Sequence, residues 1–141
     1  MEEKYMTDKE LIKEAIKARE YAYVPYSNFP VGAAILTKSG KVYRGCNIEC
    51  ASYSGTNCAE RTAIFKAISE GDKEIEAISV IGDMESYTYP CGICRQVITE
   101  FGSNIKVIVG KSENEFKVHT ISELLPHAFS PDDLKKNGGK K

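Results

Sequence analysis

Apolar residues recur every three to four positions near the start of the chain, at Leu11, Ala15, Ala18 and Ala22, a spacing that predicts an amphipathic helix. Thr7 and Glu10, three apart, have the pattern of a capping box, and Pro25 sets the far limit. After a loop at Pro25-Tyr26-Ser27-Asn28 the pattern changes to strands. Segments 31–37 and 41–48, joined at Ser39-Gly40, read as a β-hairpin. Residues 49–57 are small and polar and read as irregular. A second helical stripe, Ala63, Ile64, Ala67 and Ile68, lies within 58–70, with Gly71 as its stop. A β-branched strand follows over 76–81, then a helix over 91–101 that ends at Gly102, then a buried-type strand over 105–109. An edge strand at 116–119 and a short helix opened by Thr120 and Glu123 complete the series, with Pro126 closing it.

Alternation of strand and helix through the middle of the chain implies parallel strands, and the opening hairpin makes the sheet mixed. No linker, repeat or low-complexity stretch divides the chain. The pattern gives one α/β layered domain over 1–134, with the basic tail 135–141 read as frayed.

Composition narrows the function classes. A length of 141 residues suits one domain, and 42% hydrophobic content calls for no special class. Nineteen basic residues stand against 20 acidic ones, for a formal charge of −1, and no basic stripe precedes Lys135-Lys136. A nucleic-acid partner is therefore disfavoured and a small neutral substrate fits better. Met1-Glu2-Glu3-Lys4 is charged, without the apolar core of a signal peptide, and no apolar run approaches the roughly 20 residues that cross a bilayer. Five cysteines, an odd number in a chain with no export signal, read as reduced thiols in the cytoplasm, with metal binding as their use.

The chemistry concentrates in Cys58-Ala59-Glu60 and Pro90-Cys91-Gly92-Ile93-Cys94. Cys91 and Cys94 are i,i+3 neighbours on a helical face. Two zinc–sulfur bonds of about 2.3 Å at a tetrahedral angle need sulfurs about 3.8 Å apart, which this spacing can supply. Structural cysteines or a redox pair are the alternatives for C-x-x-C alone, but a third thiol with its own acid favours metal. Three thiolates leave one coordination position for water, the mark of catalytic zinc. A structural zinc module would want a fourth Cys or His and would leave Glu60 idle. Inside a continuous helix, Cys58 and Glu60 at i,i+2 point to nearly opposite sides, so the tripeptide must open a helix instead. Both thiol groups then lie at helix N-termini, where the dipole favours thiolate. Zn²⁺ with three thiolates carries a formal −1, which opposes the acidification of water, a shift worth about 12 kcal/mol. Arg61 is expected to offset that charge by hydrogen-bonding a thiolate; its plain rival is an exposed arginine on a surface helix.

These residues fit H/C-x-E followed by P-C-x-x-C, and the chain resembles the zinc-dependent deaminases, from which the mechanism is carried over. Further segments resemble more narrowly the small homotetrameric cytidine deaminases. They are Tyr26-Ser27-Asn28-Phe29-Pro30-Val31-Gly32-Ala33-Ala34, Gly45-Cys46-Asn47-Ile48-Glu49, Cys58-Ala59-Glu60-Arg61-Thr62-Ala63, Pro90-Cys91-Gly92-Ile93-Cys94-Arg95-Gln96 and His127-Ala128-Phe129-Ser130-Pro131. Together they reach from residue 26 to residue 131.

The resemblance implies a three-layer α-β-α fold with a mixed, roughly five-stranded sheet, and one zinc per chain held by Cys58, Cys91 and Cys94. It implies deamination of cytidine and deoxycytidine to uridine and deoxyuridine in pyrimidine salvage, with Glu60 carrying protons from water to ring N3 and to the departing amine. Another cytosine-containing nucleoside is the alternative substrate. Asn47 and Glu49, two apart on an extended segment and so facing one side, are expected to bind the ribose hydroxyls, chiefly the 3′ one. Phe29 is expected against the pyrimidine. Ala51 (through its backbone) and Tyr53 are expected near the sugar 5′ end and Phe129 over the base, these three from neighbouring subunits. The plain rivals are a core role for Phe29, turn-forming roles for Asn47 and Glu49, and simple packing for Tyr53 and Phe129. Cys46 reads as a small buried residue. Cys50 replaces an expected asparagine and puts a fourth thiol near the site. His119 and His127 read as structural.

Overall fold

The computed structural model describes residues 6–138, so the expectations for Met1-Glu2-Glu3-Lys4 and Lys140-Lys141 fall outside the described residues. Helix α1 (Asp8–Arg19) opens with a complete capping box. Glu10 N donates to Thr7 Oγ1 at 3.1 Å, and Thr7 N donates to Glu10 Oε1 at 2.8 Å. It ends sooner than the apolar spacing suggests. Glu20 is the C-cap, and the amides of Tyr21 and Ala22 turn back to Ala18 O and Arg19 O, which leaves Ala22 beyond the helix.

Strands β1 (Gly32–Thr37) and β2 (Val42–Cys46) form the expected hairpin, with Gly40 at φ +90° in the turn. β2 stops two residues short of the reading to 48. Ile48 instead makes single bridges with Tyr23 and Asn57. Helix α2 (Ala59–Ser69) ends in a Schellman motif, with Gly71 N on Ile68 O and Asp72 N on Ala67 O, at 2.9 and 3.0 Å. Asp72 Oδ2 then accepts from Thr37 Oγ1, Ser39 Oγ and Tyr43 OH, tying the helix end to the hairpin. The chain continues through β3 (Ile75–Ile81), α3 (Gly92–Glu100), β4 (Lys106–Ser112), β5 (Glu115–Thr120) and the short α4 (Ile121–Leu124) with its Thr120/Glu123 capping box.

One expectation needs correction. Residues 135–138 are helical, not frayed, within α5 (Pro131–Gly138). Ser130-Pro131-Asp132-Asp133 is itself a helix-start signal, and Asp133 Oδ2 accepts from Ser130 N at 2.9 Å. The sheet order is β2-β1-β3-β4-β5, and the parallel pairing of neighbours is confined to β3 and β4. β2 and β3 run in the same direction, but β1 lies between them, antiparallel to both.

Alternate residues of the sheet face two cores. Leu11, Ile12 and Ala15 of α1 pack with Ala34, Ala77, Ile81 and Ile108 on one face. On the other, Ala59, Ala63, Ile64, Ala67 and Ile98 from α2 and α3 meet Ala33, Ile35, Ile78, Val80, Val107 and Val109. Three α-β-α layers around a mixed five-stranded sheet result, as expected. Each large aliphatic side chain so buried contributes about 1.5–3 kcal/mol. The buried Ser79 hydroxyl is satisfied by Leu11 O at 2.8 Å. Among the described residues, no helix is long and apolar enough to cross a membrane.

Register places the functional edge. Gly32, the first residue of β1, pairs with Cys46 and with Ile81, the last residues of β2 and β3, so three chain segments meet there. α2 seats against this edge through Gly45. A Cβ on Gly45 would collide with Ala63 N and lie 2.5 Å from Ala59 O and 3.0 Å from Ala63 Cα. Gly45→Ala should therefore cost about 2–3 kcal/mol by overpacking against backbone. Gly92→Ala, where nothing lies within 4 Å, should change stability by less than about 1 kcal/mol. Urea unfolding of both variants checks the contrast, and equal losses would contradict it.

Candidate active site

The two thiol motifs occupy matching places in the fold. Cys58 is the N-cap of α2 and Cys91 the N-cap of α3, both with extended backbone, and Cys94 lies one turn into α3. The C-x-E tripeptide thus opens a helix. Thr62 N and Arg95 N make the first helical bonds back to Cys58 O and Cys91 O, at 3.0 and 2.9 Å. Each start has a further brace. Thr62 Oγ1 donates to Cys58 O at 3.1 Å and accepts from Asn57 Nδ2 at 3.0 Å. Arg95 Nε donates to Pro90 O at 2.7 Å while its Nη1 reaches Leu124 O at 2.8 Å.

The sulfurs of Cys58, Cys91 and Cys94 all lie within 4.8 Å of one another, and Cys58 and Cys91 stand 3.8 Å apart. That separation equals the sulfur–sulfur distance of about 3.8 Å across two tetrahedral zinc–thiolate bonds. Arg61 Nη2 donates to Cys58 Sγ at 3.2 Å. Burial opposes the charge on Arg61, but its hydrogen bonds to Cys58 and Cys94 raise its pKa and hold it protonated. Arg61 Nε is buried without a hydrogen-bond partner among the described residues. The donor set and this cationic backing fit a thiophilic dication.

Proton affinity differs between Cys58 and Cys94. Hydrogen bonds from Cys94 and from Arg61 bring Cys58 down to about 5, while Cys94 is pushed up by its bond to that thiolate and by burial. Glu60, 4% exposed, is pushed up to about 7, chiefly by burial and further by the Cys58 charge, with Arg61 opposing. The structure therefore sets a buried carboxyl on the same helix turn as a sulfur cluster.

The segment carrying Asn47 and Glu49 is extended and clamped on both sides. Tyr23 N donates to Asn47 O and Glu49 N to Tyr23 O, while Ile48 and Asn57 exchange both backbone bonds. Since Asn57 precedes Cys58, this clamp ties the pair to the sulfur cluster. Asn47 and Glu49 both turn to the loop ahead of β1. Asn47 Oδ1 accepts from Val31 N and its Nδ2 donates to Phe29 O, each at 2.9 Å. Glu49 Oε1 accepts from Tyr26 N and Ser27 N, at 3.0 and 3.1 Å, and Oε2 accepts from Ser27 Oγ. These bonds, the Ser27 hydroxyl foremost, hold the Glu49 carboxyl below its ordinary pKa. A carboxylate has about four acceptor sites, so one remains on Glu49, and Asn47 keeps one N–H.

Phe29 is half-exposed beside this pair. A Cβ on Gly82 would lie 3.1 Å from its Cζ and 2.9 Å from Thr88 Cβ, so the ring rests by the end of β3. Tyr53 and Phe129 both stand largely in solvent. Tyr53 opens a 3₁₀ turn and is 82% exposed, and Ala51 is exposed just before it. Phe129 is 60% exposed, its carbonyl accepting from Gln96 Nε2 at 2.7 Å. Cys46 is half-buried rather than buried, and Cys50 lies against Gly55. His119 bonds Tyr89 OH at 3.0 Å through Nε2, whereas His127 is exposed at φ +56°.

Comparison with known proteins agrees with this geometry. A family profile described as "Cytidine and deoxycytidylate deaminase zinc-binding region" matches residues 6–111. The chain is an enzyme of the cytidine and deoxycytidylate deaminase family. It is 52% identical over 130 residues to a cytidine deaminase of Sporosarcina psychrophila, covering 92% of this chain and 96% of that one. It is 56% identical over 125 residues to that of Halalkalibacterium halodurans, covering 88% and 95%. The crystal structure of the Burkholderia pseudomallei cytidine deaminase superposes with a TM-score of 0.84 at 48% identity, covering 88% of this chain and all of that chain.

Sequence reasoning took residues 25–28 as a plain loop and assigned no part to Ser27, Thr62, Arg95 or Gln96. A serine two residues ahead of an aromatic is a local turn signal, and Phe29 N does donate to Ser27 Oγ at 3.1 Å. Thr62 braces Asn57 and Cys58 within its own helix start, whereas the bonds from Arg95 to Leu124 O and from Gln96 to Phe129 O cross the fold and leave no local mark. Asn47→Ala should cost about 1–3 kcal/mol through its two unpaired backbone partners and speed hydrogen exchange at the Val31 amide. A Val31 amide as protected as in the wild type would show that the loop does not depend on Asn47.

Proposed function

We propose that this enzyme hydrolyses cytidine and deoxycytidine to uridine and deoxyuridine, releasing ammonia, in pyrimidine salvage within the cytoplasm. The observation that carries the reading is the buried Glu60 carboxyl beside three sulfurs spaced for one zinc ion. Cys58, Cys91 and Cys94 would hold that zinc, one per chain. When bound there, it supplies Lewis acidity and an open coordination position for water.

Glu60 is the proton carrier of the reaction. As carboxylate it accepts a proton from the water that adds at ring C4, and it passes that proton to ring N3. It then takes the proton of the new C4 hydroxyl and passes it to the C4 amine, which leaves as ammonia as the C–N bond breaks and the C4 carbonyl forms. Arg61 offsets the thiolate charge and keeps Cys58 in its ligating form.

Phe29 packs against the pyrimidine, while Asn47 and Glu49 use their remaining N–H and acceptor site on the sugar hydroxyls. The high exposure of Tyr53 and Phe129 supports a homotetramer in which they and Ala51 serve a neighbouring subunit's sugar and base. The even charge balance of 19 basic and 20 acidic residues favours a small nucleoside over nucleic acid as substrate.

Purified enzyme incubated with cytidine, deoxycytidine, cytosine and a short single-stranded oligonucleotide should release ammonia from the first two alone. Equal release from cytosine would contradict the sugar role of Asn47 and Glu49. Glu60→Gln should keep its zinc and lose about 10²–10⁴-fold in turnover; retained turnover would remove Glu60 from proton transfer. Arg61→Gln should fold normally but lose about 10–100-fold in zinc affinity or turnover. If both match the wild type, Arg61 has no part in the site.

A further inference from the structure

Among the side chains around the Glu49 carboxylate, that of Ser27 is placed to act on two proposed substrate contacts at once. Its hydroxyl donates to Glu49 Oε2 and accepts from Phe29 N at 3.1 Å. The two amides on Oε1, from Tyr26 and Ser27, fix one oxygen and leave the other free to swing. A terminal carboxylate torsion is broad, so two donors on a single oxygen do not set its plane. The third donor, on Oε2, does. Asn28 between them takes a left-handed φ of +56°, which folds the chain tightly enough for residue 27 to reach residue 29. Ser27 is exposed and lies in neither hydrophobic core, so the fold does not require its hydroxyl for packing.

We propose that Ser27 is a positioning residue that fixes the plane of the Glu49 carboxylate and holds it in register with Phe29, so that sugar and base are read at a set separation. This rests on the proposed sugar role of Glu49. Once the Ser27 bond orients Oε2, the unused acceptor site on that oxygen has one direction, the one in which a sugar hydroxyl must approach. Loss of the hydroxyl leaves the backbone donors intact and the carboxylate free to turn. Binding of the hydroxyl then weakens while the proton transfers at the base continue.

The test compares cytidine with 3′-deoxycytidine in the zinc-loaded enzyme, using Ser27→Ala, Ser27→Thr and Glu49→Gln. Ser27→Ala should raise KM for cytidine about tenfold with kcat changed less than about threefold. KM for 3′-deoxycytidine should stay within about twofold of wild type, because the lost aim has no hydroxyl to act on. Ser27→Thr, which keeps the hydroxyl, should restore the cytidine value. Should Ser27→Ala fail to fold, Ser27→Cys is read against the same two substrates with the same direction expected. Equal losses on both substrates, a fall in kcat alone, or no change would each overturn the role of Ser27. Glu49→Gln separates the two levels. If it leaves the preference for cytidine over 3′-deoxycytidine intact, the sugar assignment itself has failed. If it abolishes that preference while Ser27→Ala does not, the positioning role alone has failed.

Discussion

Helix α2 lies against strand β2 with no side chain between them at Gly45, so closely that a single methyl there would meet Ala59 O and the backbone of Ala63. This contact fixes the height of the helix start, and with it Cys58, Glu60 and Arg61 together. A helix displaced by even one side-chain diameter would carry the Cys58 sulfur out of reach of Cys91 and Cys94. Packed backbone has little room to absorb such shifts, so the spacing of the sulfurs depends on a residue that never touches them.

The second helix start is set differently. Arg95, one residue after Cys94, turns back to Pro90 O and outward to Leu124 O, bracing the C-x-x-C turn against the C-terminal part of the chain. Gln96 likewise reaches Phe129 O. The two helix N-termini converge because β2 and β3 run in one direction and finish at the same edge, one on each side of β1. The dipoles and Arg61 together bring positive potential to a place that holds three sulfurs and a buried acid.

Polar side chains near that edge serve the fold before they serve a substrate. Asn47 and Glu49 hold the loop from Tyr26 to Val31 by its backbone, and each keeps part of its bonding capacity unused. Their plain reading as turn formers is what these bonds show, and the unused capacity is what the proposed sugar contacts draw on. A change at either position disturbs the loop that carries Phe29 as well as any contact of its own.

Local and short-range information was legible in the chain. Apolar periodicity and turn signals yielded five strands and α1 to α4 to within a few residues, and both the Thr7/Glu10 and Thr120/Glu123 capping boxes formed as read. The thiol spacing and the i,i+2 argument placed Cys58 at a helix start, because helical geometry is fixed by backbone sterics alone. Other features came from the tertiary structure. The insertion of β1 between β2 and β3, the early end of α1, the bridging of Ile48 to Tyr23 and Asn57, and the helix continuing through 135–138 all depend on partners distant in sequence or on capping overlooked in a presumed tail. So do the bonds from Arg95 to Leu124 and from Gln96 to Phe129, and the bridge from Ser27 to Glu49. By itself the sequence determined which atoms could bind a metal and carry a proton, since residue type and spacing decide that chemistry. Only the tertiary structure decided how those atoms are aimed, because direction comes from backbone segments far apart in the chain packing against one another.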